Sequence, residues 1–379
     1  MVSSAIVTRV NGKADLKAFI RLPWGLYRDD PNWVPPLLVE RHELLDEKKN
    51  PFFDHAEVAL WLARRGDRPV GRISAQVNRA HLDAHGDGAG HFGLLEAEDE
   101  GETFAALLGT AEAWLKDRGM DKIVGPFSLS INDEAGLLVD GFDTPPMILM
   151  GHAKPYYARA LEALGYAPAK DLICYRYPMP TLPPAVASFV EKVVAAENLV
   201  IRHINMRRFG DEILKVLDIF NDAWSDNWGY VPMSDAEISH MAKSLKPILR
   251  SESGVIAELD GEAVAMAVIL PNINEAIADL NGRLLPFGLI KLLWRIKVRT
   301  PRTARLPLLG VRKRLHGTPL GAALAYSVIA KVRDAQQTLG LEMAELSWIL
   351  EDNQPMRRMI EQLGGTAYKT YRLFERPLS

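Results

Sequence analysis

The sequence predicts an α/β (α+β) protein of two similar domains in tandem, each a mixed, mostly antiparallel sheet flanked by helices. Its 379 residues are enough for two domains. Strand and helix patterns follow the same order in both halves, and four prolines within residues 178–184 separate them. We therefore predict an N-terminal domain at 1–178, a proline-rich connector and helix at 179–199, and a C-terminal domain at 200–379.

The elements of the first half follow from apolar periodicity and turn residues. Residues 56–65 and 69–78 are two strand-like runs joined by Arg-Gly-Asp-Arg, which predicts a hairpin. Apolar residues at helical spacing predict a helix at 102–118, which Gly119 ends. The other predicted elements are strands at 5–10, 91–96, 122–125 and 171–177, a helix at 156–164, and an amphipathic segment at 16–27.

The second half repeats this plan. The predicted strands are 200–204, 255–259, 263–269, 306–311, 344–350 and 370–374, and the predicted helices are 211–224, 235–245, 320–338 and 356–363. The repeat also extends to individual residues. His-Ala-Lys-Pro at 152–155 and Asp-Asn-Gln-Pro at 352–355 each precede a helix that ends at Leu-Gly, and a basic, aromatic strand follows both. This agreement indicates a duplication.

Composition narrows the classes of protein. The formal net charge is −3, which does not favour nucleic acid as a global partner. Cys174 is a single cysteine, so no intrachain disulfide can form. The N-terminus has no signal-peptide pattern, and no apolar run reaches the roughly 18–20 residues that span a bilayer. We expect a cytoplasmic protein, at most peripheral on the inner membrane.

The most informative segment is 306–324, where a buried strand leads into a basic, glycine-containing turn and then a long helix. Backbone N–H groups and the dipole at a helix N-terminus favour a pyrophosphate. Arg312, Lys313 and Arg314 add positive charge, and Gly317 and Gly321 allow a close approach of the backbone. The alternative is an ordinary helix start with solvated basic residues. Neither a P-loop nor a dinucleotide fingerprint is present.

The segment Arg-Leu-His-Gly-Thr-Pro at 314–319 resembles the acyl-CoA loop of GNAT acyltransferases, Arg/Gln-x-x-Gly-x-Gly/Ala, with Pro319 in the last position. Residues 353–365 resemble the asparagine-to-glycine stretch that follows in that family. The resemblance implies a GNAT-like fold, acyl-CoA as co-substrate and no metal. The acid tyrosine of many members falls on Ile360, so that role is vacant. The implied acyl-CoA residues are Leu309, Gly310, Val311, Arg312, Arg314, Gly317, Thr318, Gly321 and Asn353.

Three further stretches, 30–36, 136–146 and 221–232, resemble the bacterial ceramide synthase group, and with the tandem layout the resemblance covers nearly the whole chain. It implies acylation of a sphingoid base, sphinganine or its 3-keto form, by a long-chain acyl-CoA. The alternatives are an acetyltransferase acting on a small soluble amine and a non-catalytic CoA- or lipid-binding regulator. In the first half, the counterpart of the loop at 95–101 is acidic and would repel a pyrophosphate, so we expect that domain to hold substrate.

A second segment favours a lipid substrate. Residues 283–305 mix bulky apolar residues with arginine and lysine and contain no acidic residue. Such a segment can lie in the headgroup region of an anionic bilayer. The alternative is a buried helix with solvated basic ends.

Acylation of an amine requires a base and a polarised carbonyl. The predicted catalytic residues are His152, Asp133, Glu134 and Tyr157, with His152 first because imidazole titrates near neutral pH. The predicted substrate-binding residues are Asn132, Asp143, Trp224, Trp228 and Tyr230, and turn or core positions are the alternative for each. His81, His85 and His91 lie in a glycine-rich stretch that we interpret as a flexible loop, so we predict no metal site there.

Overall fold

The computed structural model describes residues 4–195 and 197–378, and thirteen strands lie within them. The strands are β1 (Ile6–Arg9), β2 (Ala56–Arg65), β3 (Arg68–Asn78), β4 (Ala89–Ala97), β5 (Lys122–Gly125), β6 (Leu137–Asp140), β7 (Ala167–Tyr177), β8 (Leu199–His203), β9 (Gly254–Leu259), β10 (Glu262–Pro271), β11 (Thr303–Val311), β12 (Met343–Leu350) and β13 (Thr366–Pro377).

Twelve α-helices lie in the same described part of the chain, and none of them is long and apolar enough to cross a membrane. The helices are α1 (Gly12–Leu26), α2 (Leu38–Leu44), α3 (Arg79–His85), α4 (Gly101–Lys116), α5 (Tyr156–Ala163), α6 (Pro184–Val194), α7 (Phe209–Trp224), α8 (Asp235–Leu245), α9 (Ile273–Ile277), α10 (Gly288–Trp294), α11 (Pro319–Thr338) and α12 (Gln354–Gln362). A π-helical turn, Arg295–Arg299, directly follows α10.

The chain forms two compact units that are not contiguous in sequence. The first comprises Met1–Leu172, Ile277–Leu284 and Lys369–Ser379, and the second comprises Ile173–Ala276 and Leu285–Tyr368. Strands β7 and β13 are each shared between the units. Each compact unit therefore includes short segments from the other half of the chain. The division into 1–178, 179–199 and 200–379 stays a prediction about where the repeats lie in the sequence.

The first unit is built on a sheet of order β1-β2-β3-β4-β5, with β13 beside β5 and β6 beside β13. The recorded strand pairs are antiparallel except β4–β5, which is parallel. Helix α4 packs closely on β3, since a β-carbon at Gly71 would lie 2.7 Å from Cδ1 of Leu107. Glycine at this position lets the helix approach the sheet.

The second unit repeats the plan with the order β8-β9-β10-β11-β12, and here β11–β12 is the parallel pair. Leu324, Val328 and Ile329 of α11 form a core with Ala304 and Leu306 of β11. Helix α7 packs against β10 and β11. The predicted fold class, a mixed and mostly antiparallel sheet with helices in each repeat, is confirmed.

Local structure differs from the prediction around the three histidines. Residues 79–85 form α3, because the Asn78 side chain accepts a hydrogen bond from the His81 N–H (3.3 Å) and caps the helix, and Gly86 ends it at φ 59°. His91 lies in β4, and the His81 and His91 rings are 4.5 Å apart. The prediction of a flexible loop was therefore wrong. In the described residues, no group of three or more potential ligands could hold a metal ion.

Candidate active site

Strands β11 and β12 pair in parallel only at their beginnings. The recorded register runs from Thr303↔Met343 to Leu306↔Leu346, although β11 continues to Val311 and β12 to Leu350. Beyond Leu306 the two strands separate. Backbone groups at Leu309, Gly310 and Val311 pair with β10 along one edge of the strand. On the other edge, His316 Nε2 contacts the Val311 carbonyl oxygen at 2.7 Å, and the remaining backbone groups of that edge can take a ligand that extends alongside the strand.

The turn between β11 and α11 has the geometry of an anion site. Within the described residues, the backbone N–H groups of Arg314, Gly317 and Leu320 donate to no acceptor. Thr318 caps α11, since its Oγ1 accepts from the Gly321 N–H at 3.0 Å. The first turn of α11 has no acidic residue. Free N–H donors at the start of a 20-residue helix form a suitable site for a phosphate.

The two glycines of this turn have different structural roles. Gly317 has φ 72°, a left-handed conformation that favours glycine, and a β-carbon there would meet nothing within 4 Å. A β-carbon at Gly321 would lie 2.1 Å from the Leu315 carbonyl oxygen. Gly321 therefore lets the helix pack against its own loop, whereas the sequence interpretation had assigned it to approach of the phosphates.

Carboxylates already pair with the basic side chains of the turn. Arg312 and Arg314 form ion pairs with Asp218 and Glu262 respectively, the second at 2.7 Å. Lys313 pairs through Nζ with Asp226. Each basic side chain that the sequence predicted to add charge to this turn is therefore paired with an exposed carboxylate.

Aromatic side chains cluster beside the end of α7. The Trp224 ring centroid lies 4.7 Å from that of Phe220 and 6.3 Å from that of Trp348 on β12. The Tyr230 hydroxyl donates to Asn221 Oδ1 at 2.7 Å. The structure thus brings together the predicted Trp224 and Tyr230 and adds Trp348, which lies just past the point where β11 and β12 separate. Trp228 is half-buried, with no recorded ring contact in the described residues.

A buried polar network crosses the strands just before they separate, and sequence analysis did not find it. Arg305 Nε donates to Ser347 Oγ (2.8 Å), and Ser347 Oγ donates to Glu345 Oε1 (2.5 Å). The Tyr368 hydroxyl donates to the other carboxylate oxygen of Glu345. Glu345 is fully buried, so its charge depends on these donors. The available sequence signal was a pair of polar residues, 345 and 347, in an otherwise apolar strand.

Two positions of the resembling stretch have structural roles. Asn353 caps α12 by accepting from the Met356 N–H at 3.2 Å. Ile360 is 1% exposed and lies in the core of the second unit, against Gly365. The position of the acid tyrosine is thus taken by an apolar side chain that packs in the core.

The predicted catalytic residues belong to the first unit. His152 Nε2 lies 3.1 Å from Asp30 Oδ2, which also accepts from Lys154 Nζ at 3.1 Å. Burial lowers the pKa of His152 below its usual value and outweighs the opposing effect of Asp30, so the ring is neutral at pH 7. Its Nδ1 is buried without a partner in the described residues. His152 therefore has the protonation state of a base, although its side chain is 4% exposed.

Asp133 and Glu134 lie in the loop that follows β5. Burial raises the pKa of Asp133 to about 6, even though Ser130 donates to it through both N–H and Oγ. Glu134 accepts from Arg41 at 3.0 Å. The Asn132 N–H donates to Ser130 Oγ, and Asp143 is solvent-exposed. Burial thus moves the pKa of Asp133 toward neutral pH.

Tyr157 is enclosed in a second buried network of the first unit. Its hydroxyl accepts from the Ala97 N–H (3.1 Å) and donates to Glu96 Oε2 (2.6 Å). Burial raises the pKa of Tyr157 well above its usual value. The Tyr27 hydroxyl also donates to Glu96, at 2.8 Å. These contacts leave the Tyr157 hydroxyl little capacity for a substrate, so we rank it below His152.

The gap beside β4 in the first unit is filled by the chain itself. The register of β4 with β5 ends at His91↔Val124. The Phe127 N–H then donates to the Phe92 carbonyl at 2.8 Å, and a β-carbon at Gly93 would lie 1.5 Å from the Phe127 carbonyl oxygen. A ligand extended along this edge of β4 would therefore meet the backbone of Phe127, and the loop at 95–101 beside it is acidic.

Residues 285–298 of the second unit carry most of the large apolar side chains that are exposed in the described part of the chain. Leu292 and Ile296 are buried, whereas the other large apolar side chains of the segment are between 44% and 80% exposed. The alternative of a buried helix with solvated ends is therefore wrong. Of the eleven exposed large apolar side chains in the described residues, seven lie here: Leu285, Phe287, Leu289, Ile290, Leu293, Trp294 and Val298.

Comparison with known proteins identifies close relatives. The chain is 48% identical over 373 residues to the bacterial ceramide synthase of Caulobacter vibrioides, which covers 98% of this chain and 97% of that one. It is 46% identical over 368 residues to Protein YghO of Escherichia coli strain K12, which covers 97% of this chain and 94% of that one. No family model matches the chain.

Two solved structures share the fold. One is a tandem GNAT protein from the clavulanic acid biosynthesis pathway, with TM-score 0.56, 13% identity and 99% of each chain covered. The other is a GCN5-related N-acetyltransferase from Sphaerobacter thermophilus, with TM-score 0.53, 15% identity, and 99% of this chain and 96% of that chain covered. The predicted tandem GNAT-like fold is confirmed.

Proposed function

The chain belongs to the family of N-acyltransferases that includes the bacterial ceramide synthase, and from this premise we propose that it transfers an acyl group from a long-chain acyl-CoA to a sphingoid base, sphinganine or its 3-keto form. The observation that carries the proposal is the anion site of the second unit. Three unpaired backbone N–H groups stand at the start of α11, beside strands that have separated.

The proposed acyl-CoA site uses the predicted residues of the second unit. The pyrophosphate binds at Gly317 and Thr318, with Arg312 and Arg314 supplying charge. The pantetheine arm extends along Leu309, Gly310 and Val311, whose free edge can hydrogen-bond to amides as an added strand does. Gly321 keeps the loop against the helix. Asn353, the cap of α12, completes the set.

Two features support a long-chain lipid as the acceptor. The first is the aromatic cluster at Trp224, Tyr230 and Trp348, which offers apolar surface beside the separated strands. Trp228, Asn132 and Asp143 stay proposed contacts of the acceptor.

The second feature is the exposed segment 285–298. Its apolar side chains would leave water on contact with a bilayer, which contributes about 25 cal/mol per Å². The segment also contains Lys291 and Lys297, and Arg299 follows it directly. Residues 285–302 contain no acidic residue. This charge pattern suits an anionic lipid surface. We propose that the chain binds a membrane peripherally through this segment, where a sphingoid base is dissolved.

The reaction joins the amine nitrogen to the thioester carbonyl carbon. The C–N bond forms, the C–S bond breaks, and the CoA thiolate leaves, so the nitrogen must give up a proton. His152 is the proposed acceptor of that proton, because it is neutral at pH 7 and Asp30 holds its Nε2. Asp133 and Glu134 are the proposed alternatives. A thiolate is a good leaving group, so Ile360 in the position of the acid tyrosine does not prevent the reaction.

The decisive experiment is mass spectrometry of the lipid product after the protein is incubated with a long-chain acyl-CoA and sphinganine. The same assay with Arg314→Ala and Gly317→Trp tests the loop. Loss of the N-acyl product in both variants, with melting temperatures near that of wild type, supports the proposal. If sphinganine and 3-ketosphinganine yield no product while a small amine is acetylated, the ceramide proposal is wrong.

A further inference from the structure

Three aspartates at the end of α7 face the basic turn before α11. We propose that Asp218, Asp222 and Asp226 act there as an internal substitute for phosphate, and that they oppose the binding of acyl-CoA. The inference rests on the proposed acyl-CoA site and assigns affinity-determining residues to it. These aspartates belong to neither the predicted catalytic set nor the predicted binding set.

The contacts are of the kind that a phosphate makes. Asp222 Oδ2 accepts from the Lys313 backbone N–H at 2.7 Å. Lys313 Nζ binds both Asp226 and Ser225 Oγ, the latter at 2.6 Å. Asp218 accepts from the Arg312 guanidinium. One backbone N–H and two cationic side chains of the turn thus bind carboxylates, whereas the adjacent Arg314 N–H is unpaired in the described chain.

The positions of the aspartates are unfavourable for α7 itself. Helix α7 ends at Trp224, and its C-terminal end carries the negative pole of the dipole. Asp222 lies in the last turn, where a carboxylate is repelled. Asp218 precedes it by four residues, a spacing at which like charges repel each other. Arg312 and Lys313 of the turn offset this repulsion. The presence of aspartates at these positions is therefore best explained by their contacts with the turn.

Binding of CoA brings new negative charge to the same place. A phosphate held by the Arg314 N–H is adjacent to the Lys313 N–H that Asp222 occupies. Two like charges a few ångströms apart in a partly buried turn repel strongly. The phosphate must either displace the carboxylate or bind beside it at a cost in affinity. Neutralising Asp222 should therefore tighten binding of CoA, although it removes a hydrogen-bonding group.

The test is the dissociation constant of CoA, measured by calorimetry at low salt for wild type and Asp222→Asn. We expect the constant to fall about three- to tenfold in the variant. The gain should shrink as ionic strength rises, because salt screens the repulsion. Asp211→Asn is the matched control, since it removes the same charge from the first turn of α7. It lies 11 residues away, about 16 Å along the helix, and should change the constant much less than Asp222→Asn does, with the difference persisting near 0.1 M salt, where the Debye length is about 10 Å.

Weaker or unchanged binding by Asp222→Asn, with a melting temperature near that of wild type, would overturn the inference. Weaker binding would identify Asp222 as a support that shapes the turn. If wild type shows no CoA binding at millimolar concentration, the proposed acyl-CoA site fails and this inference fails with it. The two failures are distinguishable, because only the first occurs with a wild-type protein that binds CoA.

Discussion

Replacing Gly321 with alanine would place a methyl group 2.1 Å from the Leu315 carbonyl oxygen and 3.0 Å from its carbonyl carbon. Both atoms belong to the backbone, so the clash cannot be relieved by a side-chain rotation. The turn 312–318 must move away from α11. That turn carries the unpaired N–H groups of Arg314 and Gly317, so the displacement changes the proposed anion site directly.

The magnitude follows from two opposing effects. Overpacking of a tight contact costs about 1–3 kcal/mol. Alanine at a helical position returns up to about 1 kcal/mol relative to glycine. The net loss of unfolding free energy is about 1–2 kcal/mol, which lowers the melting temperature of a unit of this size by about 2–8 °C. We expect CoA affinity to fall at least tenfold, roughly 1.4 kcal/mol, because the donors are misaligned.

Gly317→Ala is the comparison variant. A β-carbon there meets nothing within 4 Å, so only the left-handed conformation at φ 72° is strained, at about 1–2 kcal/mol. Gly317→Asn should recover part of that loss, since asparagine tolerates this conformation. CoA affinity is measured by calorimetric titration, and the melting temperature by thermal unfolding, for Gly321→Ala and both Gly317 variants. An unchanged melting temperature and CoA affinity in Gly321→Ala would refute the assigned role of Gly321.

Three further predictions concern other parts of the chain. Glu345→Gln should lower the unfolding free energy by about 2–4 kcal/mol in urea, because a buried carboxylate loses charge-assisted bonds; a loss under 1 kcal/mol would contradict this. Burial lowers the pKa of His91 to about 3, below the unfolded value of about 6.5, so stability falls as pH drops below 6.5, by about 3 kcal/mol at pH 4. His91→Gln should remove most of that drop, as urea unfolding at pH 7.5 and pH 4 would measure. The double variant Ile290→Ser, Trp294→Ser should weaken co-sedimentation with anionic vesicles at least tenfold. Leu214→Ser, at a similarly exposed position on α7, should not. Equal sedimentation of all these proteins would contradict the proposal that 285–298 binds a membrane.

Much of the turn between β11 and α11 could be predicted because its signals are local. Glycine, proline and basic residues between an apolar strand and a helical pattern appear within a short window, and the structure begins α11 at Pro319, one residue before the predicted start. The capping role of Thr318 depends on contacts within three residues. Segment 283–305 was readable for the same reason, since its charge and apolar content are contiguous.

The network of Arg305, Ser347, Glu345 and Tyr368 could not be predicted. Glu345 and Ser347 share one face of β12, but Arg305 and Tyr368 lie on other strands that are distant in sequence, and no local pattern indicates that they meet this pair. The same is true of the carboxylates on the basic turn. Asp218 and Asp222 lie on the predicted helix at 211–224, and only the fold places them against Arg312 and Lys313.

The sequence by itself determined the order of most strands and helices and the duplication, because these depend on interactions between near neighbours with periods of 2 and 3.6 residues. Only the tertiary structure decided that the chain fills the gap beside β4 with its own backbone, that β11 and β12 pair only at their beginnings, and that a buried His152 with a lowered pKa contacts Asp30. Each of these depends on burial and on pairing between distant segments, which determine the hydration of a polar group and the partners it meets.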